Sequence, residues 1–373
     1  MIIGIDASRA NKPIKTGTEW YAYNLIEHLK KIIPASVTVR LYTSSPLIGS
    51  LGEVPANWEI CLLRWPLPYF WTTIRLAVEM IMRPPDVLFL PCSGFPLRLP
   101  RSVVTTIHDI GFDRFPELYK PIQVYYHKHA VRRALKRCRI ILTISEFTRQ
   151  ELKDVYGTIK PAVQVTPLAA DEKKFYYPIA DEEIRRMKEN YKLDRPYFLY
   201  IGRVESKKNI GRLLKAFALV GRVGREAELV LVGPDGRGSE ALTDLLGGVK
   251  RIKWLADKDL APVLAGALAL VFPTLYEGFG IPIVEAMAVG TPVLTSDRGA
   301  NKEVAGDAAI LVDPEDVRSI ADGLVQISRN SDLRQSLITK GLARSRQFDW
   351  DKTANLTWLA ISDAATKGNG LSP

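Results

Sequence analysis

Short β-branched or apolar runs alternate with helical patterns along this chain, and the alternation occurs in two successive blocks. In the first block, the runs predicted as strands are 2–6, 37–42, 86–90, 102–107, 139–144 and 162–166. The helical patterns between them are 18–33, 70–83, 119–137 and 146–156. Strands that alternate with helices of this length are typical of a parallel sheet covered by helices.

A polar stretch at 169–180 interrupts the pattern, which then restarts as a second block. Its predicted strands are 197–201, 228–232, 250–254, 268–272, 292–295 and 308–312. Its predicted helices are 209–221, 238–246, 258–266, 282–289, 315–328 and 331–345. We therefore predict two doubly wound α/β domains in tandem, with a ligand cleft between the carboxyl ends of their strands.

Size and composition favour two soluble domains. The chain has 373 residues, of which 47% are hydrophobic, and one domain takes roughly 150 residues. No window holds about 18 uninterrupted apolar residues, and the amino terminus has no basic region followed by an apolar one. Three isolated cysteines, Cys61, Cys92 and Cys138, provide neither a disulfide framework nor a cysteine-rich zinc site. We therefore expect a cytoplasmic protein.

The loop of sequence T-L-Y-E-G-F-G-I-P-I-V-E-A-M, at 274–287, has the features of an anion site. Gly278 and Gly280 let the backbone approach a ligand closely, and a helix is predicted to begin near Pro282, where free N–H groups carry partial positive charge. The alternative is a glycine turn that only joins a strand to a helix. The loop, including Phe279 between the two glycines, is predicted to bind phosphate.

Two glutamates flank this loop, which is unexpected for a site that binds only an anion. Glu277 precedes the glycines, and Glu285 is placed in the first turn of the helix, where the helix dipole favours a carboxylate. Carboxylates accept hydrogen bonds from sugar hydroxyls, while backbone N–H groups bind pyrophosphate. A sugar nucleotide carries both groups, so we predict such a ligand.

A second loop, G-R-V-E-S-K-K-N at 202–209, supports this prediction. Arg203 and Lys208 follow a predicted strand, and Asn209 is predicted to cap the next helix. An arginine fork and a lysine charge together can stabilise a diphosphate leaving group without a metal ion. The alternative is a solvated basic loop.

Taken together, these motifs resemble family 4 of the retaining glycosyltransferases, which have the GT-B fold. They are G-R-V-x3-K-N, L-V-G-P-D-G at 231–236, F-P-T-L-Y-E-G-F-G-I-P-I-V-E-A-M-A-V-G-T-P-V at 272–293 and E-V-A-G-D-A-A-I-L-V-D-P at 303–314. Matches also occur at 105–110, 142–152 and 348–354, so the resemblance covers nearly the whole chain. It is strongest with the bacterial mannosyltransferases of surface polysaccharide assembly.

The resemblance implies four segments: an acceptor-side Rossmann-like domain at 1–170, a linker at 171–190, a nucleotide-sugar-binding domain at 191–346, and a helix at 347–373 that returns to the first domain. It also implies a role for several residues. Arg203 and Lys208 would hold the donor diphosphate, Glu277 the transferred sugar and Glu285 the ribose. His108 would line the cleft near the reacting centre. Gly17 and Gly233 would bring backbone close to the substrates.

The implied reaction is a metal-independent transfer of a hexose from a nucleoside diphosphate to an acceptor hydroxyl. GDP-mannose is the expected donor, with UDP-glucose-type and dTDP-rhamnose-type donors left open, and no separate cofactor is expected. The expected acceptor is a saccharide or a polyprenyl-diphosphate-linked saccharide. Many family members have Gly-x-Gly at the start of the first helix, whereas this chain has Gly17 and then Glu19. We expect Glu19 to oppose an anionic acceptor.

Positive charge is concentrated in the first half of the chain. Residues 1–170 contain 22 Lys and Arg against 13 Asp and Glu, whereas 171–373 contain 29 against 28. The basic positions cluster on the predicted helix 119–137, and an aromatic segment lies at 64–71. We predict an anionic membrane surface as a partner, with a merely solvated face as the alternative.

Two other classes of function compete with a glycosyltransferase. One is another GT-B sugar-nucleotide enzyme, such as an epimerase or a hydrolase. The other is a basic, non-enzymatic protein that binds nucleic acid or membrane, although Glu277 and Glu285 would repel a nucleic-acid backbone. The D-x-D sequence at Asp257 and Asp259 suggests a metal site, but acidic residues at a helix start are ordinary. We expect no metal and no nucleic acid.

Overall fold

The computed structural model describes residues 1–67, 69–92, 94–221, 226–236, 238–240, 242 and 247–366. They pack as two compact units. Unit 1 is residues 1–168 together with the segment that begins at Trp350, and unit 2 is residues 169–349. Each unit contains one parallel sheet.

Unit 1 is built on seven parallel strands in the order β3-β2-β1-β4-β5-β6-β7. They are β1 (Ile2–Asp6), β2 (Thr38–Thr43), β3 (Trp58–Leu62), β4 (Val87–Leu90), β5 (Ser102–Ile107), β6 (Ile140–Thr143) and β7 (Ala162–Val165). The strands β4, β5 and β6 are buried at every position, because helices cover both faces of the sheet.

The helices of unit 1 lie on the two faces of this sheet. In the first half of the chain they are α1 (Gly17–Ile32), α2 (Leu76–Met82, after a π-helical turn Trp71–Arg75), α3 (Gly111–Arg114), α4 (Pro121–Arg137) and α5 (Glu146–Tyr156). The side chains of α2 and α4 share one core with Val103 and Ile107 of β5. The alternate residue Thr106 bonds Tyr21 of α1, so α1 covers the opposite face.

Unit 2 has six parallel strands in the order β10-β9-β8-β11-β12-β13. They are β8 (Tyr197–Ile201), β9 (Glu228–Val232), β10 (Lys250–Ile252), β11 (Ala269–Phe272), β12 (Val293–Ser296) and β13 (Ile310–Val312). This is the order of a Rossmann sheet, and the winding direction reverses between β8 and β11. Ligands of such sheets bind at the carboxyl ends of the strands beside this switch point.

The helices described in unit 2 are α6 (Asp181–Tyr191), α7 (Ile210–Leu219), α8 (Leu260–Ala265), α9 (Ile281–Ala288), α10 (Gly299–Ala305), α11 (Val317–Arg329) and α12 (Ser331–Ser345). The helix α13 (Trp350–Thr366) follows and belongs to unit 1. It packs against α1 and β4–β6, and the Oγ of Ser102 donates to the Ala364 carbonyl at 2.8 Å.

Two segments differ from the sequence-based prediction, and two further predictions fall partly outside the described residues. Strand β3 was not predicted, because only two of its five residues are buried and its Ile60 and Leu62 point outward. The segment 171–190, predicted as a linker, contains most of α6, a polar helix with Met187 as its buried residue. The predicted helix at 238–246 lies largely outside the described residues, and so do the last seven positions of the predicted helix at 347–373.

Within the described part of the chain, no helix is both long and apolar enough to cross a membrane.

Candidate functional site

The switch point of the unit 2 sheet gathers most of the predicted site residues. The loop after β8 carries Arg203 and Lys208, and the loop after β11 carries Glu277 to Gly280. These loops lie side by side because β8 pairs directly with β11, with Ala269 opposite Phe198 and Leu270 opposite Leu199. The sheet order therefore brings together positions that are about 70 residues apart in sequence.

Lys208 and Glu277 form an ion pair at this point. The Nζ of Lys208 lies 2.7 Å from the Oε1 of Glu277, and the two side chains are only 19% and 13% exposed. The Lys208 ammonium also lies 5.9 Å from the centre of the Phe272 ring, at the end of β11. Since each charge has a partner, the flanking glutamate does not leave a net negative charge on the loop.

Arg203 is exposed, and its guanidinium makes no ion pair or hydrogen bond with any residue that the structure describes. Its stem lies against Gly236, where an added Cβ would be 2.8 Å from the Arg203 Cγ. Gly233, at φ +128°, is closer still to the neighbouring loop, because an added Cβ would meet the Gly202 carbonyl oxygen at 2.2 Å. A glycine at position 233 therefore allows the loop after β9 to pack closely against the loop after β8.

The Gly-Phe-Gly loop offers backbone donors. The N–H groups of Phe279, Gly280 and Ile281 donate to no acceptor within the described residues. Gly280 adopts φ +97°, and an added Cβ would lie 2.8 Å from the Oδ1 of buried Asn301. Consecutive free N–H groups at the start of a helix form a site for an anion.

The side chain of Phe279 points away from these donors. It is buried, and its ring meets Phe348 edge-on with the centroids 5.5 Å apart. Phe279 can therefore contribute its backbone N–H to a ligand while its side chain anchors the loop in the core. Gly278 precedes it and leads from Glu277 into the turn.

Asn209 is the N-cap residue of α7, as predicted, but its side chain makes no capping hydrogen bond to the helix. Its backbone is at φ 61°, a left-handed conformation that asparagine tolerates better than most residues. Its buried amide instead donates to the carbonyls of Pro273 at 2.9 Å and Pro314 at 2.6 Å. Asn209 thus ties the loop after β8 to the loop after β11.

Glu285 lies in the second turn of α9, which begins at Ile281, so the prediction that it lies in the first turn was wrong. The favourable dipole at a helix start therefore does not explain it. Burial raises the pKa of Glu285 from 4.5 to about 7, with Asp257 and Asp171 adding to the rise and Lys174 opposing it. A carboxyl in this state gains from ligand groups that donate hydrogen bonds.

Unit 1 has its own cluster at the carboxyl edge of its sheet. His108 follows β5, and its Nε2 lies 2.9 Å from the Pro91 carbonyl, after β4. Burial lowers the pKa of His108 below 6.5, so the neutral ring donates through Nε2 and leaves Nδ1 as an acceptor. The ring meets Tyr21 of α1 edge-on, with centroids 4.7 Å apart.

Gly17 begins α1, and an added Cβ would have no atom within 4 Å among the described residues. The fold therefore does not require a glycine there, and the open space leaves room for a ligand. We expected Glu19 to oppose an anionic acceptor, but its carboxylate already has partners. It accepts a hydrogen bond from the Thr16 N–H at 3.2 Å and lies 3.6 Å from Arg9. An anion near Gly17 would thus meet a neutralised carboxylate.

The D-x-D aspartates have structural partners. Asp257 pairs with Lys174, and buried Asp259 accepts from the hydroxyl of Tyr191 at 3.1 Å. Among the described residues, no group of three or more His, Cys, Asp or Glu side chains is arranged to hold a metal ion.

Two family models match the chain, one over each half. Residues 15–174 match the model described as Glycosyltransferase Family 4, and residues 181–344 match the model of Glycosyl transferases group 1. The first match covers α1 and His108, and the second covers both loops of the unit 2 switch point.

Named relatives and a solved structure agree with these models. The chain is 34% identical to the O-antigen chain mannosyltransferase B of Escherichia coli over 270 residues, which is 70% of each chain. It is 26% identical to the O-antigen chain mannosyltransferase RfbU of Salmonella typhimurium, over 96% of this chain and 99% of the relative. The Anabaena HepE structure in complex with UDP-glucose superposes with a TM-score of 0.74 at 16% identity, over 97% of this chain and all of that one.

Proposed function

We propose a specific reaction for this chain, which belongs to glycosyltransferase family 4 and is a hexosyltransferase of the GT-B fold. A mannosyl group moves from a nucleoside diphosphate to a hydroxyl of a saccharide acceptor. Retention of the anomeric configuration follows from the resemblance to retaining enzymes. The observation that carries the proposal is the unit 2 switch point, where free N–H groups, two cations and the Glu277 carboxylate lie on adjoining loops and Glu285 follows on α9.

The donor diphosphate is assigned to the cations and the backbone donors. Arg203 has an exposed guanidinium with no ion-pair partner in the described part of the chain, so it can fork onto phosphate oxygens. Lys208 adds a point charge, and the N–H groups of Phe279, Gly280 and Ile281 add directional bonds. Charge that develops on the leaving diphosphate is stabilised by these groups, so the transfer needs no metal ion.

The carboxylates are assigned to donor hydroxyls. Glu277, held beside the diphosphate site by Lys208, accepts from hydroxyls of the transferred hexose. When the diphosphate recruits Lys208, Glu277 becomes available to the sugar, so phosphate binding and sugar binding are linked. Glu285 lies eight residues further along and accepts from the ribose hydroxyls in its ionised form.

The names of the relatives support mannose as the transferred sugar, since both act as O-antigen chain mannosyltransferases. GDP-mannose is therefore the first donor to test, and UDP-glucose-type and dTDP-rhamnose-type donors are the alternatives. O-antigen names also favour a saccharide acceptor, either free or linked to polyprenyl diphosphate. We assign this acceptor to unit 1, with His108 and Gly17 at its carboxyl edge.

A membrane-facing surface of unit 1 is the second part of the proposal. We define the apolar ridge as the exposed residues Tyr69, Phe70, Ile81, Met82, Leu97, Ile122, Tyr125 and Tyr126. Leu97 lies between the turn before α2 and α4, because its N–H donates to the Thr73 carbonyl while its carbonyl accepts from Arg133 of α4 at 2.8 Å. Exposed aromatic and aliphatic side chains of this kind are typical of an interfacial site.

Basic residues are also exposed on α4, the helix that carries Ile122, Tyr125 and Tyr126 of this ridge. Arg132, Lys136 and Arg137 are exposed and form no ion pair with a described residue. Arg133 and Lys128 are engaged within the unit, since Arg133 donates to the Pro96 carbonyl and Lys128 lies 3.0 Å from Asp113. Three free cations on a helix that also exposes apolar side chains favour anionic lipid over nucleic acid, which would gain little from aliphatic side chains. The enzyme would thus work at a membrane where a lipid-linked acceptor is held.

Two measurements test the reaction. Thermal-shift titration with GDP, UDP and dTDP should raise the melting temperature with one of them, because a ligand that binds the folded state stabilises it. Incubation with the matching sugar nucleotide and a mannose-containing oligosaccharide should then extend the acceptor by one hexose, detected by mass spectrometry. Free hexose as the main product would favour a hydrolase, and a changed donor sugar would favour an epimerase. Absence of any nucleotide response would reject the donor site.

A further inference from the structure

We propose that Arg251 is a positioning residue for the transfer: it fixes the loop Gly233–Gly236, and this loop in turn sets the direction of the Arg203 side chain. The inference rests on the proposed role of Arg203 at the donor diphosphate. Arg251 lies on β10, two strands away from the strand that leads to Arg203, and none of the sequence motifs includes it.

The Arg251 guanidinium binds three acceptors on one neighbouring segment. It donates to the Leu231 carbonyl at 2.9 Å, to the Gly233 carbonyl at 3.0 Å and to the Oδ1 of Asp235 at 3.0 Å. Its side chain is only 15% exposed, so these bonds are largely shielded from water. A planar fork with several donors suits this arrangement, whereas a lysine ammonium at the same position lacks the reach and the geometry.

The bond to Asp235 is made by an ionised carboxylate. Lys253 lies 2.8 Å from the Oδ2 of Asp235, and Lys253 and Arg251 together lower the pKa of this carboxyl. Asp235 thus stays charged at neutral pH and holds two cations, one on each oxygen. The turn after β9 is therefore fastened to β10 through both its backbone and its side chain.

The fastened turn is hydrogen-bonded to the loop that carries Arg203. The Val204 N–H donates to the Pro234 carbonyl at 2.9 Å, and the Gly236 N–H donates to the Val204 carbonyl at 2.9 Å. Val204 and Asp235 form an isolated parallel bridge. The residue directly before Val204 is Arg203, so its backbone cannot move without breaking these bonds.

The Arg203 stem has a defined support on the same turn. An added Cβ at Gly236 would lie 2.8 Å from the Cγ and 2.9 Å from the Cδ of Arg203, so the methylene stem lies over this glycine. On the other side, the hydroxyl of buried Tyr200 donates to the Arg203 carbonyl at 3.0 Å. Arg251, the turn and Arg203 thus form one connected series that runs from a poorly exposed arginine on β10 to the exposed Arg203 side chain.

The test is a double-mutant cycle that uses the nucleoside diphosphate found to stabilise the wild type. Affinities are measured by calorimetry for wild type, Arg251→Met, Arg203→Ala and the double variant. We expect Arg251→Met to weaken binding by about tenfold, in the range of coupling seen between connected residues, and to have less than a twofold effect when Arg203 is already alanine. Arg318→Met, at an exposed position on α11, is the matched control and should bind as wild type.

Several outcomes would overturn the inference. Equal losses from Arg251→Met with and without Arg203 would mean that Arg251 acts on general stability or on another ligand group. If Arg251→Met binds the nucleotide as tightly as wild type, the turn positions Arg203 without the help of Arg251. If Arg251→Met does not fold, Asp235→Asn replaces it in the cycle, because it weakens the same connection at a more exposed position. If Arg203→Ala alone does not weaken binding, the proposed role of Arg203 is rejected. The single variant shows this result independently of the Arg251 variants.

Discussion

Lys208 and Glu277 meet at 2.7 Å, although one follows β8 and the other follows β11. A glutamate beside backbone donors for phosphate would by itself weaken anion binding. The ion pair removes this conflict, because Lys208 neutralises the carboxylate. The two charges therefore cancel at this point, and the diphosphate and the carboxylate compete for one ammonium.

The first prediction follows from this competition. Glu277→Gln should bind bare nucleoside diphosphate as tightly as wild type or more tightly, because Lys208 no longer has to leave a charged partner. Its rate of sugar transfer should fall, since the lost bond is to the sugar and strengthens as positive charge develops at the anomeric carbon. Calorimetry and turnover measured on the same preparation separate the two effects.

The matched variant is Lys208→Ala, which should lose both binding and about 2–4 kcal/mol of transition-state stabilisation. It also leaves Glu277 unpaired in a poorly exposed position, so adding Glu277→Gln to it should restore part of the nucleotide affinity. A Glu277→Gln variant with clearly weaker nucleotide binding would contradict this account.

The second prediction concerns pH and Glu285. Its pKa is raised from 4.5 to about 7, so the folded chain keeps a proton that the unfolded chain has already released. The stability that this proton contributes is complete below pH 4.5 and is lost as the pH rises through about 7. Glu285→Gln should therefore gain melting temperature relative to wild type when the pH is raised from 5 to 8.

The same carboxyl should affect nucleotide affinity in the opposite direction. Ribose hydroxyls bond best to the ionised form, so wild-type affinity should rise through pH 7 and the variant should show a smaller rise. The variant also serves as the control for protonation of the nucleotide itself. If the melting-temperature difference between the two proteins is the same at pH 5 and pH 8, the raised pKa is ruled out.

The third prediction concerns metal ions. Because Arg203, Lys208 and the loop N–H groups are assigned to the leaving diphosphate, transfer should continue at an unchanged rate in EDTA. Asp257→Asn should disturb stability through the lost Lys174 pair but should not create a metal requirement. Loss of activity in chelator that magnesium or manganese restores would refute the assignment of the cations.

The fourth prediction concerns the membrane surface. Wild type should bind phosphatidylglycerol-rich vesicles at low salt, and binding should weaken as salt screens the basic residues, each worth about 1 kcal/mol near the surface. Reversing Arg132, Lys136 and Arg137 to glutamate should abolish vesicle binding and leave nucleotide binding intact. Arg133 is left unchanged because it supports the loop at Leu97.

A second variant examines the apolar ridge itself. Replacing Phe70, Met82 and Tyr125 with serine should reduce vesicle binding in high salt more than in low salt, since burial of apolar surface is not screened. If the wild-type protein does not bind these vesicles at low salt, α4 presents only a solvated basic face.

The two sheets could be predicted from sequence because their central strands are continuous apolar runs. V-L-F-L of β4 and A-L-V-F of β11 are buried at all four positions, and short apolar runs that alternate with helical patterns favour buried parallel strands. Strand β3 escaped prediction because it is exposed at three of five positions. Helix α6 was not predicted because charged residues dominate it and Met187 is its buried residue.

The candidate site was predictable in its residues but not in its connections. Glycines, cations and carboxylates at predicted strand ends identify the two loops of unit 2. Pairing between Lys208 and Glu277 depends on β8 lying next to β11, which a local pattern does not specify. The role of Asn209 depends on two carbonyls that lie 64 and 105 residues away. Arg251 belongs to none of the sequence motifs, and its position beside the turn follows from the register of β10 against β9, in which Arg251 lies opposite Leu231.

Unit 1 is completed late in synthesis, because its helix α13 follows unit 2 in the sequence. The helix bonds to Ser102 and to Gln164 through the carbonyls of Ala364 and Leu356, and it covers one face of a sheet whose strands were all translated much earlier. All of unit 2, residues 169–349, leaves the ribosome in between. A chain that stops at residue 349 should therefore leave this face of the unit 1 sheet open, and exposed apolar surface of that kind favours aggregation or binding by chaperones.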